Sequence, residues 1–579
     1  MKLLPISCRA ASLARIPAFA AGLRRGLRVC AVLSALALPI GFLALGSARA
    51  AEPHAAPAAA PQEEPTAAAA GASLTMPLAV YWKYTGDFYG NNPAAPIVTE
   101  DTAYFATGNR VYAVNLKDGS LKWRYPGDTT MANFVQTTPA VNDDSLFIGT
   151  GDGLYALNRA DGKLRWPQPF HIKNGVTASP IVVGDTVYFG GGNGRIYALN
   201  AKTGDPPVGT WQQGVDAGGD FSSDFSVGGD MLYYITGGQD LHAVNLTSGQ
   251  HRWLQRLPAL TRGSVSPVLS GESIYIAAGN SISSWRANNG QQRWYLPLPS
   301  DAATAPAVDA NGNLYIITSD RNIYAVDKSG RGLWHQAAKV DFEVTAQPIV
   351  DGNLLFVGTT QGGVYAFDTA TGALKWNYLI HPSARDANAL PAFTNVSSRP
   401  AVSGGTFYAL TDDGTLTAFR HDAADDTPPT VSDMLPTPGD YINGRPPLHF
   451  GARITDIGSG VNESTITVRL DDQTIPRRPP GRENQDKFGY TYNPDEGTID
   501  FYTVETSVGR SNALPDGHHS VTVSATDWMG NVTNKTWTFY VDDTIPRRTA
   551  RTQGRGTTPG RFPGRFPGGG GPGGKGGGG

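Results

Sequence analysis

The sequence predicts an all-β protein in which an eight-bladed β-propeller is followed by a β-sandwich and a disordered, glycine-rich tail. A short phrase recurs along the chain, consisting of a small residue, an aliphatic residue, Asn or Asp, a Gly turn and then Trp. Successive Trp residues lie 40 to 45 positions apart, which is the period of a four-stranded blade. Between them lie short β-rich runs separated by Gly and Asp turns, without amphipathic helical stretches, which excludes a helical solenoid.

The positions of the repeat Trp residues predict a closed ring. The eighth copy, Ala418-Phe419-Arg420, has no Gly or Trp of its own, whereas one Trp precedes the first copy. We therefore expect the segment around Trp82 to supply the missing strand of the last blade and to close the circle, which leaves only short protected edges. The predicted structural Trp residues are Trp82, Trp123, Trp166, Trp211, Trp253, Trp294, Trp334 and Trp376.

The recurring phrase, as in Ala156-Leu157-Asn158 with Gly162 and Trp166, resembles the PQQ-like repeat of quinoprotein alcohol dehydrogenases. Non-enzymatic propellers, such as an outer-membrane assembly lipoprotein of bacteria, share this repeat. The resemblance covers about residues 78–421. It implies that each Trp docks against the Ala of its own copy and the Gly turn of the neighbouring blade. The third, fifth, sixth and eighth copies depart from the phrase, and Pro206-Pro207 lengthens the third.

The resemblance also raises a cofactor hypothesis. Quinoproteins of this family hold calcium and the quinone in the propeller funnel with several acids and an Asn, commonly beneath adjacent cysteines, and use an Asp as base. Here Asp216, Asp220 and Asp224 form the only mouth cluster that could replace the metal ligands, and both cysteines fall in the leader. We therefore predict no cofactor, and PQQ with calcium remains an alternative.

The first 50 residues are predicted to be an export signal. Basic residues precede an apolar stretch, and Ala48-Arg49-Ala50 fits a small-x-small cleavage site. An uncleaved membrane anchor is the alternative. An Ala/Pro-rich linker over residues 51–77 follows, and both Cys8 and Cys30 lie in the leader, so the exported chain forms no disulfide. The expected location is the periplasm, the cell surface or the medium.

The charge distribution bears on possible partners. The chain has 47 basic and 50 acidic residues. Seven basic residues belong to the leader and seven to the tail, which leaves a folded body with a net charge of −17. A body this acidic is not expected to bind nucleic acid, whereas the basic tail is suited to anionic surfaces.

The propeller is predicted to span residues 78–424 and a second domain to span residues 425–543. After the extended segment Asp425-Asp426-Thr427-Pro428-Pro429, apolar residues alternate with period two, which predicts a sandwich that resembles bacterial Ig-like modules. His518 and His519 should face opposite sides of a strand and lie at the surface. Residues 544–579 are predicted to be disordered. Four residues suit either calcium or turn formation: Asp456, Asn462, Asp527 and Asn531.

Aligning the inner strands places one residue of each blade around the central channel. These residues are Ala95, Thr138, Ser179, Asp224, Ser266, Ala305, Gln347 and Arg399. Asp224 and Arg399 belong to opposite blades, so they are predicted either to orient a polar ligand or to hold channel water. The long mouth loop over residues 381–398 carries Arg385 and Asp386 at its tip.

These features favour a non-catalytic binding or scaffolding protein of the bacterial envelope, expected to be a monomer and lacking a Gly-x-Ser-x-Gly elbow or a His-Glu-x-x-His helix. The expected partner is an envelope protein or a glycan, bound by loops at the propeller mouth. A PQQ-dependent oxidoreductase is one alternative. A carbohydrate or cell-wall binding protein is another, with stacking platforms at Phe88, Tyr89, Phe170 and Phe393.

Overall fold

The computed structural model describes residues 74–87, 94–135, 137–261, 265–381, 394–478, 489–494, 496–503 and 513–546. Within these residues the chain forms 41 β-strands and two short 3-10 helices, and no α-helix. The strands are arranged in ten sheets. The predicted leader, most of the predicted linker and the tail from residue 547 lie outside the described residues.

Seven propeller sheets, here called blades 1 to 7, each consist of four consecutive antiparallel strands. The strands of blades 1 and 2 are β2 (Ile97–Val98), β3 (Thr102–Thr107), β4 (Arg110–Asn115), β5 (Leu121–Tyr125), β6 (Ala140–Val141), β7 (Ser145–Thr150), β8 (Gly153–Asn158) and β9 (Phe170–His171). Those of blades 3 and 4 are β10 (Val176–Val183), β11 (Thr186–Gly191), β12 (Arg195–Asn200), β13 (Val215–Asp216), β14 (Ser226–Gly228), β15 (Met231–Thr236), β16 (Asp240–Asn245) and β17 (His251–Arg256).

Blades 5 to 7 repeat this arrangement. Their strands are β18 (Val268–Ser270), β19 (Ser273–Ala278), β20 (Ser281–Arg286), β21 (Gln292–Pro297), β22 (Ala307–Val308), β23 (Leu314–Ile317), β24 (Asn322–Val326), β25 (Ala338–Lys339), β26 (Ile349–Asp351), β27 (Leu354–Gly358), β28 (Gly363–Asp368) and β29 (Leu374–Leu379). The two 3-10 helices are η1 (Thr210–Gln213) and η2 (Thr360–Gly362). The lengthened third copy therefore places its Trp211 in a 3-10 turn rather than in a strand.

Blade 8 is assembled from both ends of the propeller sequence, as the position of Trp82 predicts. Its strands are β30 (Ala401–Ser403), β31 (Thr406–Leu410), β32 (Thr415–Arg420) and, at the outside, β1 (Ala79–Thr85). Trp82 is the register partner of Ala418. The predicted closing strand is therefore confirmed. Leu74, four residues before the predicted start of the propeller, is already buried against this part of the ring.

The hydrophobic core of the propeller lies between neighbouring blades. The second strand of blade 1, β3, is buried along its whole length because it is covered on both faces. One cluster joins Tyr104 and Trp123 of blade 1 to Leu146 and Ile148 of blade 2. Burial on both faces explains why the middle strands read as continuous apolar runs rather than as alternating ones.

The repeat Trp residues join each blade to the next. Trp123 is the register partner of Ala113 in its own blade, and its Nε1 donates a hydrogen bond to the carbonyl of Arg159 in blade 2, 2.8 Å away. Gly162 has φ +68°, and a Cβ at this position would lie 2.5 Å from the Trp123 ring. Only glycine combines this backbone conformation with so close an approach. The docking that the repeat implies is therefore present.

The second domain contains a four-stranded and a five-stranded sheet that enclose one hydrophobic cluster. Its strands are β33 (Thr430–Leu435), β34 (Tyr441–Ile442), β35 (His449–Thr455), β36 (Val461–Leu470), β37 (Gln473–Ile475), β38 (Tyr490–Asn493), β39 (Thr498–Tyr502), β40 (Gly517–Asp527) and β41 (Val532–Val541). The period-two strands are confirmed, and the Ig-like assignment stays a prediction.

The adjacent histidines of β40 face opposite sides, as predicted, but only one of them lies at the surface. His518 is exposed, whereas His519 is buried. Both ring nitrogens of His519 have hydrogen-bond partners, namely the Asp471 carboxylate and the carbonyl of Pro515, each 2.8 Å away. The surface prediction is wrong for His519, because these two partners satisfy its polar atoms inside the domain.

Candidate functional site

The predicted channel residues form a belt of hydrogen bonds between blades. The backbone N–H of Ala95 donates to Oγ1 of Thr138, and the N–H of Thr138 donates to Oγ of Ser179, both over 3.1 Å. The N–H of Ser179 donates to Oδ1 of Asp224 over 2.7 Å, and that of Asp224 donates to Oγ of Ser266 over 3.1 Å. Each side chain thus holds the backbone of the preceding blade. We call these five residues the interblade belt.

The belt changes beyond Ser266. Ala305 has no side-chain acceptor, so the same contact cannot form there. Instead, Gln347 of blade 7 donates from Nε2 to the carbonyl of Pro306 in blade 6, over 3.1 Å. The side chains that sequence alignment placed at the channel therefore serve mainly to tie blades together.

Asp224 occupies an unusual position for a carboxylate. Burial raises its pKa above the ordinary value, although the hydrogen bonds from Ser179 lower it in part. Its Oδ1 is already bound by a backbone N–H of the neighbouring blade. The group therefore helps to hold blades 3 and 4 together.

The structure does not bring Asp216, Asp220 and Asp224 together as metal ligands. Asp216 ends β13 and Asp220 lies in the connection from β13 to β14, and both are exposed. Oδ1 of Asp216 accepts the N–H of Gly218 over 2.9 Å. Among the described residues, the carboxylates that converge closely enough for one ion are elsewhere, in the second domain and its connection. These mouth acids do not fit the calcium ligands of a quinone site.

Arg399 lies next to a small cavity in the channel. Asp224 precedes β14 of blade 4 and Arg399 precedes β30 of blade 8, as the predicted ring order requires. Arg399 and Gln347 line a cavity of about 160 Å³ together with the inner strands of blades 5 to 7. Pockets for small-molecule ligands usually measure about 300 Å³ or more. Arg385 and Asp386 lie outside the described residues.

The mouth of the propeller is the face that carries the turns between second and third strands and the connections between blades. Of the predicted aromatic platforms, only Phe170 is described, and it packs edge-on against Phe189 and Tyr197 with ring centroids 6.0 and 5.5 Å apart. Two side chains that sequence reasoning missed are exposed in blade connections instead, Phe134 at 65% and Leu260 at 59%. Their only sequence signal is an apolar residue within a polar connection.

His242 is a second residue that sequence reasoning missed. It replaces the Tyr that precedes Ala in several copies of the repeat. Its buried ring stacks on Tyr234 with centroids 4.9 Å apart, and its Nε2 lies 2.8 Å from Oγ1 of Thr236. None of the described residues forms a hydrogen bond with its Nδ1. Burial, reinforced by His251, lowers its pKa to about 4.

Three carboxylates converge where the propeller meets the second domain. Oxygen atoms of Asp425, Asp456 and Asp527 lie within 4.8 Å of one another. Two of them were among the predicted calcium or turn residues, and Asp425 was not. Burial raises the pKa of Asp456 to about 6, and the neighbouring Asp425 and Asp527 raise it further against the hydrogen bond from Gly460.

The hydrogen bonds of this cluster are those of loop-forming residues. Oδ1 of Asp456 accepts two backbone N–H groups of its own loop, over 3.1 and 2.7 Å. Asp527 accepts the backbone and side-chain N–H groups of Asn531, over 2.8 and 2.7 Å. Asn462 instead binds Ser464 and does not join the group. These contacts support the turn-forming interpretation of the four predicted residues.

The chain is similar to several solved structures at low sequence identity. The chain resembles BamB from Moraxella catarrhalis, with 18% identity, a TM-score of 0.47, and coverage of 59% of this chain and 99% of the other. It also resembles a europium-containing methanol dehydrogenase, with 15% identity, a TM-score of 0.46, and coverage of 59% and 93%. For quinohemoprotein alcohol dehydrogenase ADHIIG from Pseudomonas putida HK5 the values are 15%, 0.46, and 64% and 79%. No curated protein sequence matches the chain.

None of the described residues forms a helix long and apolar enough to span a membrane.

A comparison with sequence families gives the family assignment. The family described as outer membrane protein assembly factor BamB matches residues 79–255 and 237–433, and these matches together span more than half of the chain. With its ring of Trp-docked blades, the chain belongs to the family of outer membrane protein assembly factor BamB.

Proposed function

We propose that this protein is a non-catalytic scaffold of the bacterial envelope that binds a protein partner through the mouth of its propeller. The observation that carries the proposal is the interblade belt, because it commits the polar side chains of the channel to backbone N–H groups of adjacent blades. A wall built in this way holds the ring together and offers few groups for chemistry. We therefore expect the loops that connect the blades at the mouth to recognise the partner.

Membership in the family supports both the location and the kind of partner. The description of the family refers to the assembly of outer membrane proteins, and we extend that context to this chain. The export signal predicted over residues 1–50 is consistent with this location. The expected partner is therefore a protein of the envelope.

Two exposed apolar side chains mark the surface that we propose for recognition. Phe134 and Leu260 lie in connections that run beside the mouth turns, since the N–H of Val135 binds the carbonyl of Gly108 and that of Thr261 binds the carbonyl of Gly238. Aromatic and aliphatic anchors contribute much of the binding energy at protein interfaces. The loop that carries Arg385 and Asp386 is proposed to belong to the same surface.

A quinoprotein oxidoreductase fits these residues poorly. PQQ with calcium needs several convergent acids in the channel, whereas Asp216 and Asp220 lie outside at the mouth and Asp224 is bound by Ser179. The cavity beside Arg399 is also smaller than an ordinary cofactor pocket.

The proposal can be tested by site-specific photo-crosslinking in envelope extracts. A crosslinking residue at position 134 or 260 is expected to capture the same envelope protein. One at Val208, which is 97% exposed beyond the Gly204 turn at the other end of its blade, is expected not to capture it. Capture of different proteins at the three positions would contradict a mouth-specific scaffold. A new absorbance band and dye reduction after addition of PQQ and calcium would instead favour the oxidoreductase, and retention on peptidoglycan would favour the glycan-binding alternative.

A further inference from the structure

The closure of the ring leaves one repeat Trp without the turn on which the others dock. For seven of the eight repeat Trp residues, the indole Nε1 donates a hydrogen bond to a carbonyl in the turn that follows the third strand of the next blade, here called the motif turn. These acceptors are Leu116, Arg159, Ala201, Leu246, Ala287, Lys328 and Thr369. In blade 8 the outer strand comes from the N-terminal side of the propeller sequence. No turn therefore joins β32 to β1, and blade 8 lacks the Gly turn of the other copies. His421 follows β32 at the position of the other acceptors, but Trp376 donates elsewhere.

A loop of the second domain provides that acceptor. Nε1 of Trp376 donates to the carbonyl of Ser459 over 3.0 Å, and the Trp376 side chain is fully buried. The carbonyls of the two residues before Ser459 also accept hydrogen bonds from the propeller. The hydroxyl of Tyr378 donates to Ile457, and the backbone N–H of Val80 donates to Gly458, each over 3.0 Å. We call residues 456–460 the docking loop.

The docking loop is shaped so that its carbonyls are left for the propeller. The N–H groups of Gly458 and Gly460 bind Oδ1 of Asp456, and that of Ser459 binds Oδ2 of Asp425 over 2.7 Å. The loop N–H groups are thus satisfied by carboxylates of the second domain and its connection. Successive carbonyls then remain to accept propeller donors, which accounts for the acidic residues at this point in the chain.

Further contacts fix the loop against blade 7. Gly460 has φ +89°, and a Cβ there would lie 2.9 Å from the carbonyl oxygen of Asn377. Trp528, from the neighbouring loop of the sandwich, donates from Nε1 to Oδ1 of Asn377 over 3.1 Å. The close backbone approach requires glycine, and the Trp528 contact extends the interface beyond a single loop.

We propose that the second domain acts as the missing motif turn of blade 8, so that propeller and sandwich form one rigid, cooperatively unfolding unit. The segment from Asp425 to Pro429 is then a bound connection rather than a free hinge. This inference does not depend on the proposed function. It predicts that a partner would meet the two domains in one fixed arrangement, because breaking the docking loop away would leave buried donors of the propeller without acceptors.

The proposal is tested on the full-length chain by calorimetry and limited proteolysis. The variants are Tyr378→Phe, which removes only the hydroxyl that binds Ile457, and Trp376→Phe with Tyr378→Phe. The matched control is Trp334→Phe, which removes the equivalent indole donor to Thr369 within the propeller. The wild-type chain is expected to unfold in a single transition and to resist cleavage between residues 421 and 429.

The double variant is expected to separate the unfolding of the sandwich from that of the propeller and to speed cleavage in this segment by roughly tenfold for each lost hydrogen bond. Tyr378→Phe alone loses one hydrogen bond, so cleavage of this segment is expected to be roughly tenfold faster than in wild type. This variant still tests the proposal if the double variant does not fold. Trp334→Phe should lower the transition temperature without splitting the transition. Two transitions in the wild-type chain, or equal cleavage rates in wild type and Tyr378→Phe, would overturn the proposal.

Discussion

The Asp224 carboxylate accepts a hydrogen bond from the backbone N–H of Ser179 on the preceding blade, with N and Oδ1 2.7 Å apart. This contact belongs to the interblade belt, in which short side chains replace direct backbone pairing between blades. A carboxylate is a costly residue in a buried position unless a donor compensates it. Asp224 therefore serves the ring as the hydrogen-bond acceptor for the Ser179 N–H.

Replacing Asp224 tests this assignment. Asp224→Ala leaves the Ser179 N–H without an acceptor and is expected to lower the free energy of unfolding by about 1–3 kcal/mol. Asp224→Asn retains an oxygen at the same position and is expected to unfold close to wild type in equilibrium urea titrations. If Asn proves as damaging as Ala, the charge rather than the hydrogen bond matters.

The docking of Trp123 on Gly162 can be separated from backbone strain with a matched pair of glycines. Gly162 has φ +68° and faces the Trp123 ring, whereas Gly184 has φ +57° and would place a Cβ in open space, with no neighbouring atom within 4 Å. Alanine at either position costs roughly 1–2 kcal/mol for the left-handed backbone. Gly162→Ala should cost about 1–3 kcal/mol more, because its methyl group displaces the indole. Equal losses in denaturant unfolding would contradict Trp docking as a stabilising contact.

Ring closure by β1 can be tested by complementation. A chain that starts at residue 86 is expected to be strongly destabilised, because β32 loses its outer antiparallel partner and Trp82 leaves its site beside Ala418. A synthetic peptide of residues 74–87 should raise its melting temperature in a concentration-dependent manner. The same peptide with Trp82→Ala serves as the control and should have a much weaker effect. An unchanged melting temperature after truncation would show that the ring does not depend on this strand.

His242 gives the protein an acid-sensitive element. Its pKa is lowered to about 4 in the folded protein, whereas an unfolded His titrates near 6.5. The unfolded chain therefore binds more protons in this window, and stability should fall as the pH decreases from 6.5 to 4, by on the order of 3 kcal/mol. His242→Phe removes this slope while keeping an aromatic ring against Tyr234. His518→Gln, at an exposed site in the second domain, is the control. An unchanged pH profile for His242→Phe would contradict the assignment.

Asp456 is expected to have the opposite effect in nearly the same window. Its pKa is raised to about 6, so the folded protein binds more protons than the unfolded chain between pH 6 and 4. Stability from this group therefore rises as the pH falls through 6 and is lost again as the pH rises. Asp456→Asn keeps an acceptor for Gly458 and Gly460 but cannot titrate. Melting temperatures measured from pH 4 to 7 should decline more steeply on acidification in this variant than in wild type, and an identical profile would count against the assignment.

Much of the propeller could be predicted because each repeat carries its own signal. The Ala, Gly and Trp of one copy meet at a fixed spacing, so the position of Trp82 alone predicts a strand that closes the ring. The belt positions could also be aligned, but their role could not be predicted. A Ser or Thr side chain gives no indication in sequence that it turns toward the N–H of a neighbouring blade rather than toward channel water.

The remaining features depend on contacts between distant segments. The docking loop reads in sequence as an ordinary Asp-Ile-Gly-Ser-Gly turn, and only the fold places its carbonyls beside Trp376 and Tyr378. Likewise, the sequence around His519 predicts an exposed strand end, because nothing in it indicates that Asp471 is brought against the ring. The mouth acids share one loop, but short spacing along a loop does not make side chains converge.

The pairing of β1 with β32 has a consequence for the order in which the chain folds. Thr85 and Thr415, whose hydroxyls are 3.0 Å apart, are separated by 330 positions in sequence. The first strand of the propeller must therefore wait for the last strand of the propeller before it finds its partner, and contacts of such long range slow folding. Until then both strands are open edges that invite association with other chains. Folding of this protein is accordingly expected to depend on chaperones that shield an incomplete ring.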